Sequence, residues 1–314
     1  MTHCGPFIAG DWGTSRLRLM LCDEERVLEC REGPGIAQLP HGEPAVYWRT
    51  VATLSASWVQ QYGPLPVALC GMVGSRNGWV EVPYIDCPAD VGSIAASVFR
   101  LRVSDHEVAI VPGLSCINPR GAPDVLRGEE TQVLGVLAQY PDLARGHQLL
   151  GLPGTHTKWV LTHEGRIVQF HTGFSGELFA MLRDHSTLCR VSSNAAAIRD
   201  ERDAFLLGAH RAIELRSTPL SHLLFEVRSR QLVEGQSPAE ALAFLSGLVI
   251  AQDAVGVLGI FGGLPERGQR VSLVGSADLT ALYQVVLEAL DMQAFCLDAE
   301  AATVNGLRAV AYAN

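Results

Sequence analysis

Along the chain, short apolar runs closed by glycine-containing turns alternate with longer stretches of helical periodicity. Phe7-Ile8-Ala9-Gly10-Asp11 is an apolar run ending on an acid; the turn Trp12-Gly13-Thr14-Ser15 and an alternating stretch from Arg16 to Leu21 come next. That pattern predicts two half-buried strands joined as a hairpin. Tyr47 to Tyr62 has helical spacing and stops at Gly63-Pro64, after which Val67 to Cys70 reads as a short buried strand. Glu129 to Ala138 reads as a helix with acids in its first turn, where the helix dipole favours negative charge. A second apolar run, Leu149 to Leu152, enters Pro153-Gly154-Thr155-His156-Thr157-Lys158; Trp159 to Leu161 resumes an extended pattern that His163-Glu164-Gly165 closes. This strand–turn–strand echoes Phe7 to Leu21 and suggests an internal duplication.

Helical spacing dominates from Ser175 to Gly259, with a break near Ser217-Thr218-Pro219. Ala241 to Leu264 is almost wholly apolar, but Gln252 and Asp253 near its middle would be costly inside a bilayer. A buried core helix followed by a glycine-rich turn is expected there. Val271 to Val274 predicts a buried strand, turned by Gly275-Ser276-Ala277-Asp278 into a helix from Leu279 to Leu290; Phe295 to Leu297 and Ala301 to Ala311 predict a last strand and a last helix. Strands alternating with helices place the chain in the α/β class. No low-complexity or charge-block linker interrupts it, so any hinge is made of ordered elements.

Length and composition narrow the partners. The 314 residues are enough for about two domains, and 48% hydrophobic against 18% charged residues favours a sizeable core over disorder. A net charge of -9 argues against nucleic acid and anionic membranes as partners, while a small anion can still bind where a few cations dominate a cleft. The eight cysteines show no CxxC spacing and no accompanying His cluster, so reduced thiols in a cytosol are expected rather than zinc or disulfides. Met1 to Pro6 lacks the basic start and apolar run of a signal peptide.

Four segments can carry chemistry. The turn Asp11 to Ser15 has the ingredients for a triphosphate: Gly13 permits close backbone approach, Thr14 and Ser15 supply hydroxyls, and Asp11 can hold Mg²⁺ through water. The turn Pro153 to Lys158 repeats that logic with Gly154, Thr155 and His156, and adds Lys158, the sole lysine beside 23 arginines. A compact ammonium at that place can neutralise charge on a transferring phosphoryl group. Glu129 and Glu130 stand at a helix start, where capping is the plain explanation; a kinase acting on an alcohol needs one such carboxylate as base, Glu129 before Glu130. Gly71 to Trp79 is a glycine-rich loop after a strand, and Arg76 in it can pair with a substrate carboxylate.

Taken together, these segments resemble the 2-dehydro-3-deoxygalactonokinase family of the actin-like sugar kinase superfamily. The resemblance rests on DWGTSRLR at 11–18, GMVGSRNGWVEVPY at 71–84, IVPGL at 110–114, DVLRGEETQVLG at 124–135, PGTHTKWV at 153–160 and TGFSGELFAML at 172–182. LFEVR at 224–228, FLSGL at 244–248 and LVGSADLTALY at 273–283 extend it over nearly the whole chain. It implies a two-lobed actin-like (ribonuclease H-like) fold with a central cleft, residues 1–135 plus 302–314 in one lobe and 136–301 in the other. The implied reaction moves the γ-phosphoryl of ATP, with Mg²⁺, to the 6-hydroxyl of 2-dehydro-3-deoxy-D-galactonate. Asp11, Glu129 and Lys158 would be catalytic, Asp11 also holding the metal. Gly13, Thr14, Ser15, Gly154, Thr155, His156, Gly275 and Ser276 would contact the nucleotide. Gly71, Met72, Gly74, Ser75, Arg76, Trp79 and Glu130 would line the sugar-acid site. The helices at 129–138 and 302–311 would form the hinge. One departure is Arg16, at a place where the family more often has Asn.

Three alternatives stay open at this level: a kinase of the isomeric 2-dehydro-3-deoxy-D-gluconate, a non-catalytic sensor of ATP or a sugar acid, and a phosphate-releasing hydrolase of the same fold. The oligomeric state is not legible.

Overall fold

A computed structural model describes residues 5–40, 43–189, 201–265 and 268–311. The signal-peptide reading at Met1–Cys4, the 190–200 part of the helical stretch and the last residues of the 302–314 segment lie outside the described residues.

The alternating pattern at the start folds as expected. β1 (Phe7–Trp12) and β2 (Arg16–Cys22) form an antiparallel hairpin, and β3 (Val27–Pro34) adds to its outer side. β4 (Val67–Gly71) lies parallel to β1 on the other side. β6 (Phe99–Val103) and β7 (His106–Ile110) complete a six-stranded sheet of order β3-β2-β1-β4-β7-β6. A small sheet carries β5 (Ile85–Asp86), β8 (Leu114–Ile117) and β9 (Pro123–Leu126). Further on, β10 (His147–Leu152), β11 (Thr157–His163), β12 (Arg166–Gly173), β13 (Arg270–Gly275) and β14 (Gln293–Asp298) form a five-stranded sheet of order β12-β11-β10-β13-β14.

The echo between the two halves is real at the level of topology. Each sheet begins with a three-strand run, first strand innermost, and continues on that strand's other side with a parallel neighbour. The β11–β12 turn is only Glu164-Gly165, both at positive φ (47° and 74°), the conformation that two-residue hairpin loops demand.

Contact density divides the chain into two compact units: Met1–Gln148, Leu161–Phe170 and Asp298–Asn314 form the first, Leu149–Val160 and His171–Leu297 the second. In the first unit, the apolar face of helix Pro44–Tyr62 (Val46, Tyr47, Val51, Trp58) packs on Ile8, Trp12, Leu17, Leu19, Leu69 and Ile110 of the sheet. The second is organised around helix Pro238–Val257, capped by Ser237 and Glu240, in which every residue from Ala241 to Ala251 is buried. The helix is long and apolar enough to cross a membrane, yet it is spent on the core of this unit, as expected from Asp253.

Helices Glu129–Gln139 and Ala299–Ala311, both in the first unit, meet backbone to backbone. A Cβ on Gly135 would run into the Ala302 carbonyl, and one on Gly306 into the Thr131 carbonyl. Neither neighbour can retreat, because both atoms belong to helix backbone. Gly135→Ala is therefore expected to cost about 2 kcal/mol or more through forced separation of the pair. Urea unfolding checks this, and an unshifted midpoint would show that the helices do not pack so closely.

Candidate active site

The first cluster of functional side chains arises from parallel strand pairing. β1 and β4 run in register, with Asp11 beside Cys70 and Trp12 beside Gly71, so both strands end at one edge. Helix Glu129–Gln139 starts against that edge: Gly128, at φ 107°, would bring a Cβ within 3.2 Å of the Gly71 Cα. A side chain at Gly128 would push the helix N-terminus off that edge, while one at Gly71 would run into the Trp12 carbonyl of the neighbouring strand. Asp11, Cys70 and the two glutamates thereby become neighbours. Burial pushes the Cys70 thiol well above its ordinary range, and the charges of Asp11 and Glu130 push it further.

The two glutamates do different things. Glu130 is fully buried; its Oε2 accepts from the Gly128 N–H at 2.7 Å and its Oε1 from the Thr131 hydroxyl at 3.0 Å. Burial, with the charge of Glu129 next to it, pushes the Glu130 carboxyl up to about 8, so it is mainly protonated at neutral pH. Glu129 is half-buried, and its Oε2 accepts from the Arg127 N–H at 2.9 Å. Asp11 is ion-paired with Arg18, its partner across the hairpin, at 2.6 Å.

The turn after Asp11 is held from behind. The Gly13 N–H closes it onto the Arg16 carbonyl at 2.9 Å, while the Gly13 and Thr14 carbonyls accept from Ile36 and Ala37 at 3.1 and 3.0 Å. The Gly13 N–H is thus used inside the turn, and Thr14 and Ser15 are exposed. Arg16 points to solvent and pairs with Glu32 at 3.1 Å.

The loop after Gly71 winds back on itself. Ser75 is buried, and its hydroxyl donates to the Met72 carbonyl at 2.7 Å. Arg76 is exposed and, with Trp79, Tyr47, Glu43 and Asn77, lines a cavity of about 500 Å³. Trp79 and Tyr47 stack nearly parallel there, 6.4 Å between ring centroids. Arg127 braces the far end of this stretch: its guanidinium lies over the Tyr84 ring at 4.3 Å and donates to the Val82 carbonyl at 2.8 Å.

In the second unit, the turn between β10 and β11 splits into an outward and an inward half. Thr155 and His156 are exposed, and His156 Nε2 lies 2.6 Å from Glu177 Oε2. Thr157 and Lys158 turn inward. Lys158 is only 6% exposed and its Nζ donates to the Thr172 hydroxyl at 2.9 Å. Gly275 and Ser276 sit where β13 passes into helix Ala277–Ala289. Gly275 lies close to Pro153, so the β13 end and the second turn adjoin.

A family model described as 2-keto-3-deoxy-galactonokinase matches residues 11–310. The chain belongs to the 2-keto-3-deoxy-galactonokinase family. Two curated relatives carry the name 2-dehydro-3-deoxygalactonokinase. The one from Rhizobium meliloti (strain 1021) is 35% identical over 315 residues, covering 100% of this chain and 99% of its own. The one from Escherichia coli (strain K12) is 32% identical over 309 residues, covering 98% of each. A crystal structure of a 2-dehydro-3-deoxygalactonokinase protein from Sinorhizobium meliloti superposes with a TM-score of 0.81 at 34% identity, covering 97% of this chain and 98% of that one. Component A of the Acidaminococcus fermentans (R)-2-hydroxyglutaryl-CoA dehydratase shares the fold alone, at a TM-score of 0.50 and 12% identity over 98% and 96% of the two chains. This family member is a sugar-acid kinase of the α/β class that the resemblance implied.

Several side chains at these clusters are invisible in the sequence. Tyr47 reads only as part of a helix and Arg127 only as part of a motif string, and nothing marks Arg18 as the partner of Asp11. The i to i+3 relation between Arg127 and Glu130 gives no hint of which acid turns inward.

The raised Glu130 carboxyl has a measurable consequence. Between the ordinary glutamate value of 4.5 and about 8, the folded chain holds a proton that the unfolded chain has lost. Stability contributed by this group therefore falls as pH rises through that window. Glu130→Gln removes the dependence, so the variant is expected to gain thermal stability relative to the parent as pH goes from about 5 to about 9. Melting curves over that range decide it: two profiles running parallel would contradict the buried, protonated carboxyl.

Proposed function

We propose that the protein transfers the γ-phosphoryl group of ATP to the 6-hydroxyl of 2-dehydro-3-deoxy-D-galactonate. The observation that supports this best is the repetition of one device. The innermost strand of each sheet ends in a Gly-Thr-containing hairpin turn, one beside the Asp11–Glu129 cluster, the other carrying the sole lysine. It stands in a chain that matches galactonokinases over their whole length.

In this reading the exposed hydroxyls of Thr14, Ser15 and Thr155 donate to phosphate oxygens of ATP, and Gly275 and Ser276 face adenosine. Lys158 acts as a fixed, partly desolvated cation at the end of the second turn, where its charge is less screened than on the surface. Glu129 accepts the proton of the 6-hydroxyl as that oxygen bonds to the γ-phosphorus; the bond from phosphorus to the β-bridging oxygen breaks, and ADP leaves. Glu130, neutral and enclosed, keeps the helix start in place rather than competing for the proton. Arg76 pairs with the substrate carboxylate, and Trp79 and Tyr47 wall the cavity beside it.

Mg²⁺ is the usual companion of ATP. Among the described residues no group of three or more His, Cys, Asp or Glu could cage a metal. The single carboxylate of Asp11, held by Arg18, fits an ion carried mainly by water and phosphate oxygens. When bound, the ion would neutralise charge on the phosphates.

Two measurements on the purified enzyme test the reading. ADP release across a panel of 2-keto-3-deoxy acids should be greatest with the galacto isomer; equal turnover of the gluco isomer would remove the substrate assignment. Glu129→Gln should retain the melting temperature and nucleotide affinity while kcat drops by about 10² to 10⁴-fold. Full activity in that variant would show that Glu129 is not the base.

A further inference from the structure

The turn from Gly154 to Thr157 is gripped residue by residue by the segment that opens helix Ser175–His185. Phe174 stacks on the His156 ring at 5.2 Å, and the Glu177 carboxylate reaches His156 Nε2. The Glu177 N–H donates to the Thr155 carbonyl at 2.8 Å. Gly176 packs so closely on the Gly154 carbonyl that a Cβ there would collide with it. Ser175 Oγ lies 2.7 Å from Thr157 Oγ1.

Behind this grip is a network that the phosphoryl-transfer scheme does not use. The Tyr283 hydroxyl, on a side chain 2% exposed, lies 3.0 Å from Thr157 Oγ1 and 3.1 Å from Ser175 Oγ, and donates to Asp253 Oδ2 at 2.7 Å. The Ser175 hydroxyl is also within 3.3 Å of that carboxylate oxygen. Two hydroxyls thus converge on one carboxylate, and a third joins through them; the carboxylate stands on the most apolar helix of the unit. Its other oxygen is packed against bare backbone, since a Cβ on Gly173 would overlap it. Burial outweighs the hydrogen bonds to Asp253, that from Tyr283 first, and leaves the carboxyl raised to about 6, so near neutral pH its ionised form is available as the final acceptor.

A carboxylate at one end of a hydroxyl chain sets the direction of every proton in it. Tyr283 and Ser175 must donate toward Asp253, so the Thr157 hydroxyl donates toward them. Without that acceptor the three hydroxyls can be satisfied in several arrangements, and Thr157 loses a fixed orientation.

We infer that Asp253, acting through Tyr283 and Ser175, is a positioning residue that holds the 153–158 turn in its nucleotide-binding geometry. The inference rests on the proposed role of that turn in binding ATP phosphates. Thr157 immediately precedes Lys158, so the network fixes the base of the strand from which the ammonium projects. The same core helix thereby serves both packing and the site.

The test uses the full-length enzyme with Asp253→Asn, Tyr283→Phe and the double variant. Asparagine preserves size and keeps one acceptor oxygen where both hydroxyls converge, but it removes the negative charge that fixes the direction of the chain. Affinity for a non-hydrolysable ATP analogue, read by calorimetry, is expected to fall about tenfold in each single variant. The double variant should be no worse than the weaker single one, because both remove the same chain of donors. The KM for the sugar acid should stay within twofold, a split that general unfolding would not give. Unchanged analogue affinity in both singles overturns the inference, and so does additive loss accompanied by an equal rise in both KM values. Parent-enzyme turnover is measured alongside. A parent that binds the analogue but releases no ADP with the sugar acid defeats the phosphoryl-transfer reading, while the affinity comparison still decides the role of Asp253.

Discussion

Gly128, at the start of helix Glu129–Gln139, stands so close over the end of β4 that a Cβ on it would lie 3.2 Å from the Gly71 Cα. Much of the first unit's chemistry depends on it. The parallel pairing of β1 with β4 aligns Asp11 and Cys70, and the glycine contact then delivers Glu129 and Glu130 to the same edge. Adjacent Glu129 and Glu130 cannot both be ionised cheaply when one of them is buried. The buried one takes the proton, and the accessible one keeps the backbone donor from Arg127. A difference in role between adjacent, chemically identical residues thus comes chiefly from burial.

The second unit meets the opposite problem. Its turn presents the exposed hydroxyl of Thr155 while leading into a cation that is almost wholly buried. It does so by dividing after His156: Thr155 and His156 face out, Thr157 and Lys158 face in, and the start of helix Ser175–His185 clamps both halves. Lys158 is half of that design. Its ammonium is held by Thr172 rather than free on the surface, which suits a fixed charge better than a mobile one.

The sequence was most legible where an apolar run met a turn. β1, β2, β4, β10, β11 and β13 lie where the runs predicted them, within a few residues, and so do the helices at Pro44–Tyr62, Glu129–Gln139 and Ala299–Ala311. β3 was missed because VLECREGP, half exposed, shows no apolar face to read. β5, β8 and β9 are too short and too polar to stand out from loop. At the site, motif strings brought out Asp11, Glu129 and Lys158. They could not say that Asp11 pairs with Arg18, that Ser75 turns inward, or that Lys158 is buried, because these depend on pairing register and on neighbours far away in the chain. Asp253 is the clearest case: in the sequence it argued only against a membrane span, and in the fold it anchors a hydroxyl network.

On the proposed function, the turns at 11–15 and 153–158 each bind phosphate oxygens of ATP. Hydrogen–deuterium exchange with and without a non-hydrolysable ATP analogue tests this most directly, since both segments carry exposed residues, Thr14 and Ser15 in one and Thr155 and His156 in the other. Slowed exchange is expected in both turns at the same analogue concentration. Protection confined to one of them, with the other unchanged at saturation, would contradict the account.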